Sequence, residues 1–163
     1  MGLLKPYKRV ENIYELTEDY FRQNSISYIL VDMDNTLLPW DSDALEEDAV
    51  NWIDKMQEDG LKVCVITNSK KDRATLVMKD HDIPVLYNAL KPLPIGYHRA
   101  CRKIGAKRKA TMVIGDQLFT DVMGANFAGF KSILVEPFSS TEYWWTRFAR
   151  KLEKIFAKRD IKW

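Results

Sequence analysis

Thiols and imidazoles are scarce in this chain, with two cysteines and two histidines among 163 residues. Cys64 and Cys101 form no CxxC pair, and His81 and His98 stand isolated. Zinc clamps and dithiol redox motifs are thereby excluded, and both cysteines are expected as buried, reduced thiols. Long apolar runs are missing too. No stretch approaches the ~20 residues that cross a bilayer, and the first residues lack a secretory apolar core. A cytoplasmic protein is expected, with peripheral contact at the inner face of the membrane left open. There is no repeat, low-complexity tract or obvious linker. The net charge is only +2, too small to imply a nucleic acid or a membrane by itself.

A domain of this size buries about 68–70% of its unfolded surface, and 46% hydrophobic residues supply a core for one. A single domain over residues 1–163 is expected. Short apolar runs alternate with helical periodicities, the pattern of parallel β–α units. Residues 27–32 (SYILVD), 62–68 (KVCVITN), 84–89 (PVLYNA), 111–116 (TMVIGD) and 131–136 (KSILVE) read as five strands. The first is almost continuously apolar, as a strand covered on both faces would be. A helix is expected from Asn12, where Glu15 completes a capping box and Ile13, Leu16 and Tyr20 share a face. A second starts near Asp43 and Glu46, aligns Leu45, Ala49, Trp52, Ile53 and Met56, and stops at Gly60. Further helices are expected up to Asp80, over 94–104 and over 120–128. The fold class is therefore α/β, a Rossmann-like doubly wound parallel sheet of about five strands. Such sheets gather ligands beyond the carboxyl ends of their strands.

Polar residues crowd those ends. Asp32, Asp34 and Thr36 close the first strand, Thr67 and Asn68 the second, and Gly115 and Asp116 the fourth. Lys91 follows the third strand, and Asp121 lies just beyond Asp116. Parallel strands bring all of them to one rim. Carboxylates crowded together repel and need a counter-ion. Oxygen donors without imidazole or thiolate suit a hard cation, and Mg²⁺ is the natural choice. The metal then brings in phosphate. Phosphoryl transfer needs mainly positioning and neutralised oxygens, which a cation and a lysine supply, and a carboxylate can serve as nucleophile. Two competing motifs fail. An EF-hand loop from Asp32 would need glycine where Leu37 stands, and a strand precedes it instead of a helix. Residues 124–132 (GANFAGFKS) resemble a P-loop, but the lysine is displaced by one position and the segment runs from helix to strand.

D-x-D-x-T after an apolar strand, T-N ending the next, a lysine, then G-D-x-x-x-x-D resemble the four motifs of haloacid dehalogenase-type phosphatases, across residues 27–137. The resemblance implies that Asp32 is the nucleophile and a metal ligand. It implies that Asp34 protonates the leaving oxygen and activates water, while its backbone carbonyl binds Mg²⁺ together with Asp116. Thr67 is expected to hold the phosphoryl oxygens, and Asn68 to support the Thr67 loop, both counted with Lys91 as substrate-binding groups. Lys91 would neutralise the nucleophile and phosphate, and Asp121 would steady the lysine or the metal's waters. An acid two residues after the nucleophile favours complete hydrolysis. Relatives that hold the phosphoenzyme for transport carry threonine there.

Many relatives insert a cap domain between these motifs. Here 34 residues lie between Asp32 and Thr67 and 23 between Thr67 and Lys91, too few for a unit of ~50 residues. A capless, open site is expected. Such sites suit substrates whose bulk stays outside, although homo-oligomers can enclose small molecules. Residues 139–163 are expected to form a basic amphipathic helix capped by Ser139 and Glu142, with Trp145, Phe148, Leu152, Ile155 and Phe156 on one face. Residues 141–163 carry seven basic and three acidic side chains. Such a helix reads as packing on the core or a second copy, as contact with an anionic membrane, or as nucleic-acid binding. No recognised nucleic-acid motif is present, so no specific nucleic acid is expected. The chain is similar overall to the YqeG-type phosphatases of subfamily IIIA, kin of mitochondrial enzymes that dephosphorylate phosphatidylglycerophosphate. That similarity implies an anionic phospholipid head group as substrate. The alternatives are a phosphatase for nucleic-acid ends or a soluble phosphorylated metabolite, and a non-catalytic phosphate-binding module. Intact Asp32, Asp34, Lys91 and Asp116 argue against the module.

Overall fold

Side chains alternate across a strand, and in the central strands both alternating sets are apolar. Ile29 and Val31, Val63 and Val65, Met112 and Ile114, and Ile133 and Val135 join one buried cluster. Leu30, Cys64, Ile66 and Val113 join another. A sheet with two apolar faces must be covered on both. The structure, a computed structural model, describes residues 2–138; the expected C-terminal helix over 139–163 lies outside them. Six parallel strands are found among the described residues. They are β1 (Lys8–Val10), β2 (Tyr28–Val31), β3 (Lys62–Ile66), β4 (Val85–Leu86), β5 (Thr111–Gly115) and β6 (Lys131–Val135), in spatial order β1-β6-β5-β2-β3-β4. Helices α1 (Glu18–Gln23), α2 (Glu47–Glu58) and α3 (Lys71–Met78) carry Phe21, Trp52, Ile53, Met56 and Val77 into the first cluster. Helices α4 (Pro94–Ile104) and α5 (Gly124–Ala128) carry Tyr97, Ala100, Ile104, Ala125 and Ala128 into the second.

The doubly wound parallel sheet is as expected, with one strand more than the five read from the sequence. β1 has three residues and buries only Val10, so it has no room for a periodic signal. It pairs Lys8 with Ile133 and Val10 with Val135, covering an edge of β6 that would otherwise be left open. The helix expected from Asn12 is instead a 3₁₀ turn, Ile13–Glu15, after which α1 starts on its own cap at Thr17. The capping box of Asn12 and Glu15 is present but serves that turn. α2 begins at Glu47 with the expected Glu46 as its cap residue, while Asp43 lies outside the helix with its carboxylate bound to Arg73 of α3. The helix expected over 120–128 is two pieces, a π-helical turn, Leu118–Met123, that runs into α5. Cys64 and Cys101 are buried free thiols, and burial pushes Cys64 up to about 12. No helix among the described residues is long and apolar enough to cross a membrane.

Two features of this topology place the site. β2 lies between β5 and β3, so the chain builds outward from β2 to β4 and later returns to lay β5 on the other side. The reversal leaves a crevice at the carboxyl end of β2. The connection from 32 to 67 holds a loop and α2, and that from 67 to 91 holds α3 and β4. No additional unit covers the crevice from either.

Trp52 ties the N-terminal segment to the first face. Its indole Nε1 donates to the Leu16 carbonyl at 2.8 Å, and its ring meets Phe21 edge-on at 6.4 Å between centroids. Trp52→Phe keeps much of the apolar contact and strands that carbonyl. It should lower stability by about 1–3 kcal/mol, read as a fall in the urea midpoint at constant m-value. A change below about 0.5 kcal/mol would show that water satisfies the carbonyl instead.

Candidate active site

β2 ends at Val31, and its direction carries Asp32 beyond the sheet while the Asp32 N–H still pairs with the Ile114 carbonyl at 2.8 Å. Asp32 is 5% exposed, and a buried carboxylate is unfavourable unless it is paired. Lys91 supplies the pairing. Its Nζ lies 2.7 Å from Asp32 Oδ1 and 2.6 Å from Asp121 Oδ1. The Met33 N–H donates to the same Asp32 oxygen at 2.8 Å. Asp121 Oδ2 accepts from the Gln117 N–H at 3.1 Å, so both Asp121 oxygens are engaged. Asp116 is different. Its two carboxylate oxygens are buried and have no hydrogen-bond partner.

Ligand oxygens of Asp32, Asp116 and Asp121 lie within 4.8 Å of one another, against a single ammonium. Burial pushes Asp32 up to about 7, with Lys91 pulling the other way. Burial, and then Asp32 and Asp121, holds Asp116 well above its ordinary range. Burial pulls the Lys91 ammonium down, but Asp121 and Asp32 carry it above its ordinary value. The site is thus short of positive charge. The donors are all oxygen, which fits a hard divalent cation such as Mg²⁺. Asp116, with two orphaned oxygens, and Asp32 are the ligands the site offers directly. Asp121 is committed to Lys91 and Gln117.

The structure also places the other residues singled out in the sequence. Thr67 is buried, and its Oγ1 accepts from the Ser69 N–H at 3.0 Å, which leaves the hydroxyl hydrogen for another acceptor. Asn68 ties the Thr67 loop to the Lys91 backbone. Its Oδ1 accepts from the Lys91 N–H at 2.7 Å and its Nδ2 donates to the Lys91 carbonyl at 3.0 Å. Asp34 does not join the carboxylate cluster through its side chain. Ser69 Oγ donates to its Oδ2 at 2.8 Å, and Arg73 meets its Oδ1 through Nη2 at 2.7 Å and Nε at 3.2 Å.

Ser69, Arg73 and Tyr97 are not among the site residues expected from the sequence. Gly115, expected there as the glycine of the G-D motif, makes room for the site: a Cβ on it would overlap the Asp121 carboxylate. The Tyr97 hydroxyl donates to the Thr120 carbonyl inside the π-helical turn. In that turn the Val122 N–H reaches the Gln117 carbonyl at 3.2 Å, and the wide loop sets Asp121 beneath Lys91. π-turns of this kind recur at functional sites but leave no mark in hydrophobic periodicity. Arg73 sits in a run of polar residues, SKKDR, where spacing gives no reason to prefer it over its neighbours.

Residues 40–129 match the family model for haloacid dehalogenase-like hydrolases. The chain is 36% identical to the probable phosphatase YqeG of Bacillus subtilis (strain 168), over 97% of this chain and 95% of that one. Its fold is similar to a 4-nitrophenylphosphatase from Thermotoga maritima, with a TM-score of 0.61 at 13% identity, covering 76% of this chain and 91% of the other. CbbY from Rhodobacter sphaeroides, solved with phosphate, gives a TM-score of 0.58 at 15% identity over 69% and 87%. At these identities the two solved structures speak to the fold alone.

The raised Asp32 pKa has a measurable consequence in protein freed of divalent cations. Between the ordinary value of 3.8 and about 7, the folded protein keeps a proton on Asp32 that the unfolded chain has released. The unfolded state binds fewer protons there, so stability falls as pH rises through that window. Urea midpoints in chelator should drop from about pH 4 to about pH 7, Mg²⁺ should flatten the drop, and Asp32→Asn should remove part of it. The same slope in wild type and variant would show that Asp32 ionises normally.

Proposed function

The chain belongs to the haloacid dehalogenase-like hydrolases and is a phosphatase; from that premise we propose that it uses Mg²⁺ and a phosphoaspartate at Asp32 to hydrolyse a phosphomonoester carried by an anionic phospholipid. The observation that carries the chemistry is the unpartnered, buried Asp116 carboxylate beside the Asp32–Lys91 pair. When bound, the cation would neutralise phosphoryl oxygens and relieve the repulsion between Asp32 and Asp116. The remaining work falls to the chain. Asp32 attacks phosphorus, and the bond to the ester oxygen breaks as Asp34 gives that oxygen a proton. Lys91 balances the charge of the nucleophile, and the Thr67 hydroxyl donates to a phosphoryl oxygen. Water then attacks phosphorus and yields a proton to Asp34, the bond to Asp32 breaks, and inorganic phosphate leaves.

Two observations support a substrate whose bulk stays outside. Among the described residues no additional unit covers the crevice, and the segment that carries Lys91 is flanked by large exposed aliphatic side chains. Leu90, Leu93 and Ile95 are 54%, 55% and 53% exposed, and Leu90 is held at φ 61, a strained conformation for leucine. An apolar rim beside a phosphate site suits the boundary between a lipid head group and its acyl chains. The Phe138 N–H meets the Asn35 carbonyl at 3.3 Å, so the last described residue lies against the loop that bears Asp34. We take residues 1–163 as one domain, cytoplasmic, that visits the inner face of the membrane through this rim and the basic segment 139–163. Phosphatidylglycerophosphate is the leading substrate.

Asp32→Asn should reduce phosphate release by at least about 10²-fold, and chelation of divalent cations should abolish it. The pair Leu93→Ser and Ile95→Ser should leave hydrolysis of 4-nitrophenyl phosphate within about threefold of wild type. The same pair should slow release from phosphatidylglycerophosphate in anionic vesicles by about tenfold. Equal rates on vesicles for both proteins would favour a soluble metabolite or a nucleic-acid end. Release from no phosphomonoester at all would leave a binding module.

A further inference from the structure

Arg73 is engaged in the site more heavily than the reaction above accounts for. It lies in the first turn of α3, yet its side chain is only 27% exposed. One edge of the guanidinium meets Asp34 Oδ1, through Nη2 at 2.7 Å and Nε at 3.2 Å. The group also grips the loop after β2. Nη2 donates to the carbonyls of Trp40 and Ser42 at 2.9 and 3.0 Å, and Nη1 to Asp43 Oδ1 at 3.0 Å. A lone surface ion pair is worth little. Here a rigid planar fork, anchored at three points of one loop, addresses a single oxygen of the carboxylate that exchanges protons.

The two oxygens of Asp34 are therefore not equivalent. Oδ1 is taken by the guanidinium, which has no lone pair and cannot share a proton. Oδ2 faces the Ser69 hydroxyl at 2.8 Å, a rotor that donates when Oδ2 is bare and can turn to accept when Oδ2 carries hydrogen. Asp34 is about a quarter exposed, at 26%, so without these partners its carboxylate would be free to sample other rotamers. Proton transfer requires the donor within hydrogen-bond reach, and a displacement of about 1 Å is enough to cost about 10²-fold.

We propose that Arg73 is the positioning residue for proton transfer: by occupying Asp34 Oδ1 it makes Oδ2 the atom that gives and takes the proton, and it takes its own place from loop 40–43. This rests on the phosphatase reading above. In the first half-reaction the proton passes from Oδ2 to the ester oxygen as the bond from phosphorus to that oxygen breaks. In the second it passes from the attacking water to the same atom as the bond to Asp32 breaks. Ser69 follows the proton in both.

The test compares two substrates of one shape whose leaving oxygens differ in basicity, 4-nitrophenyl phosphate and phenyl phosphate. kcat/KM reports the steps up to departure of the leaving group. In Arg73→Ala it should fall by about 10²-fold for phenyl phosphate and by less than about tenfold for 4-nitrophenyl phosphate, whose leaving group needs little protonation. On 4-nitrophenyl phosphate kcat and KM should fall together, because attack by water uses the same carboxylate and becomes the slow step. If Arg73→Ala does not fold by circular dichroism, Arg73→Lys keeps the charge and loses the fork, and the ratio of the two kcat/KM values should still shift by about tenfold. Equal losses on both substrates, or an unchanged ratio in the folded variant, would reduce Arg73 to a structural contact. Failure of wild type to hydrolyse either compound would instead overturn the phosphatase reading, and this inference with it.

Discussion

Lys91 places one ammonium among the carboxylates of Asp32, Asp116 and Asp121, all of them buried. Each charge moved out of water loses several kcal/mol of hydration, so Asp32, Lys91 and Asp121 are held closely and paired, and Asp116 is left as the member without a partner. Much of the local structure serves that pairing. Asn68 holds the Lys91 backbone on both its N–H and its carbonyl, and the Ala89 N–H reaches the Thr67 carbonyl at 3.0 Å, joining the loops after β3 and β4. The π-helical turn presents Asp121 from below, Gly115 gives its carboxylate room, and the Tyr97 hydroxyl secures the turn at Thr120. The remaining imbalance, one cation for three carboxylates, is what suits the site to a second cation.

How far the residues themselves could disclose this depends on the range of each signal. The central strands were legible because their apolar runs are short-range and continuous, and α4 was found over its full length, with Gly105 closing it in the left-handed region. β1 was not, since three residues with one buried side chain carry no period, and only its partner β6 makes them a strand. The capping box at Asn12 was real, but a cap specifies where a turn begins and says nothing of how many turns follow. Among the functional groups, strand-end carboxylates and Lys91 announced themselves by position. Arg73, Ser69 and Tyr97 act by reaching across from other elements, and such contacts have no local signature. The position of Asn68 in the T-N motif marks it, but its hold on the Lys91 backbone is a matter of tertiary geometry.

The two faces of the sheet are built differently. The face covered by α1, α2 and α3 is filled by large side chains such as Phe21, Trp52, Ile53 and Met56. The opposite face brings α4 and α5 close on small ones, Ala100, Ala125 and Ala128, and Gly124 has no room for a Cβ against Tyr97 and Pro92. Close packing of that kind resists displacement. Lys91 and Asp121 border the tightly packed side, whereas Asp34 is reached by α3 and by the loop that Arg73 grips. The charge cluster therefore rests on the more closely packed half of the molecule, and Asp34 on groups held mainly by polar contacts.

The pairing of β1 with β6 has a consequence for how the chain is made. Synthesis runs from the amino end, and β2, β3 and β4 can associate as soon as residue 86 is free of the ribosome. The strand at Lys8–Val10 emerges first yet finds its partner last, once Lys131–Val135 has appeared. Contacts so distant along the chain form slowly, because loop closure must precede any gain from them. Asp32 and Lys91 likewise emerge well before Asp116 and Asp121. A nascent chain thus passes through a stage with one carboxylate for its one lysine, and the excess of negative charge arrives only with the final third. Assembly order keeps the like charges apart until the sheet that confines them is nearly complete.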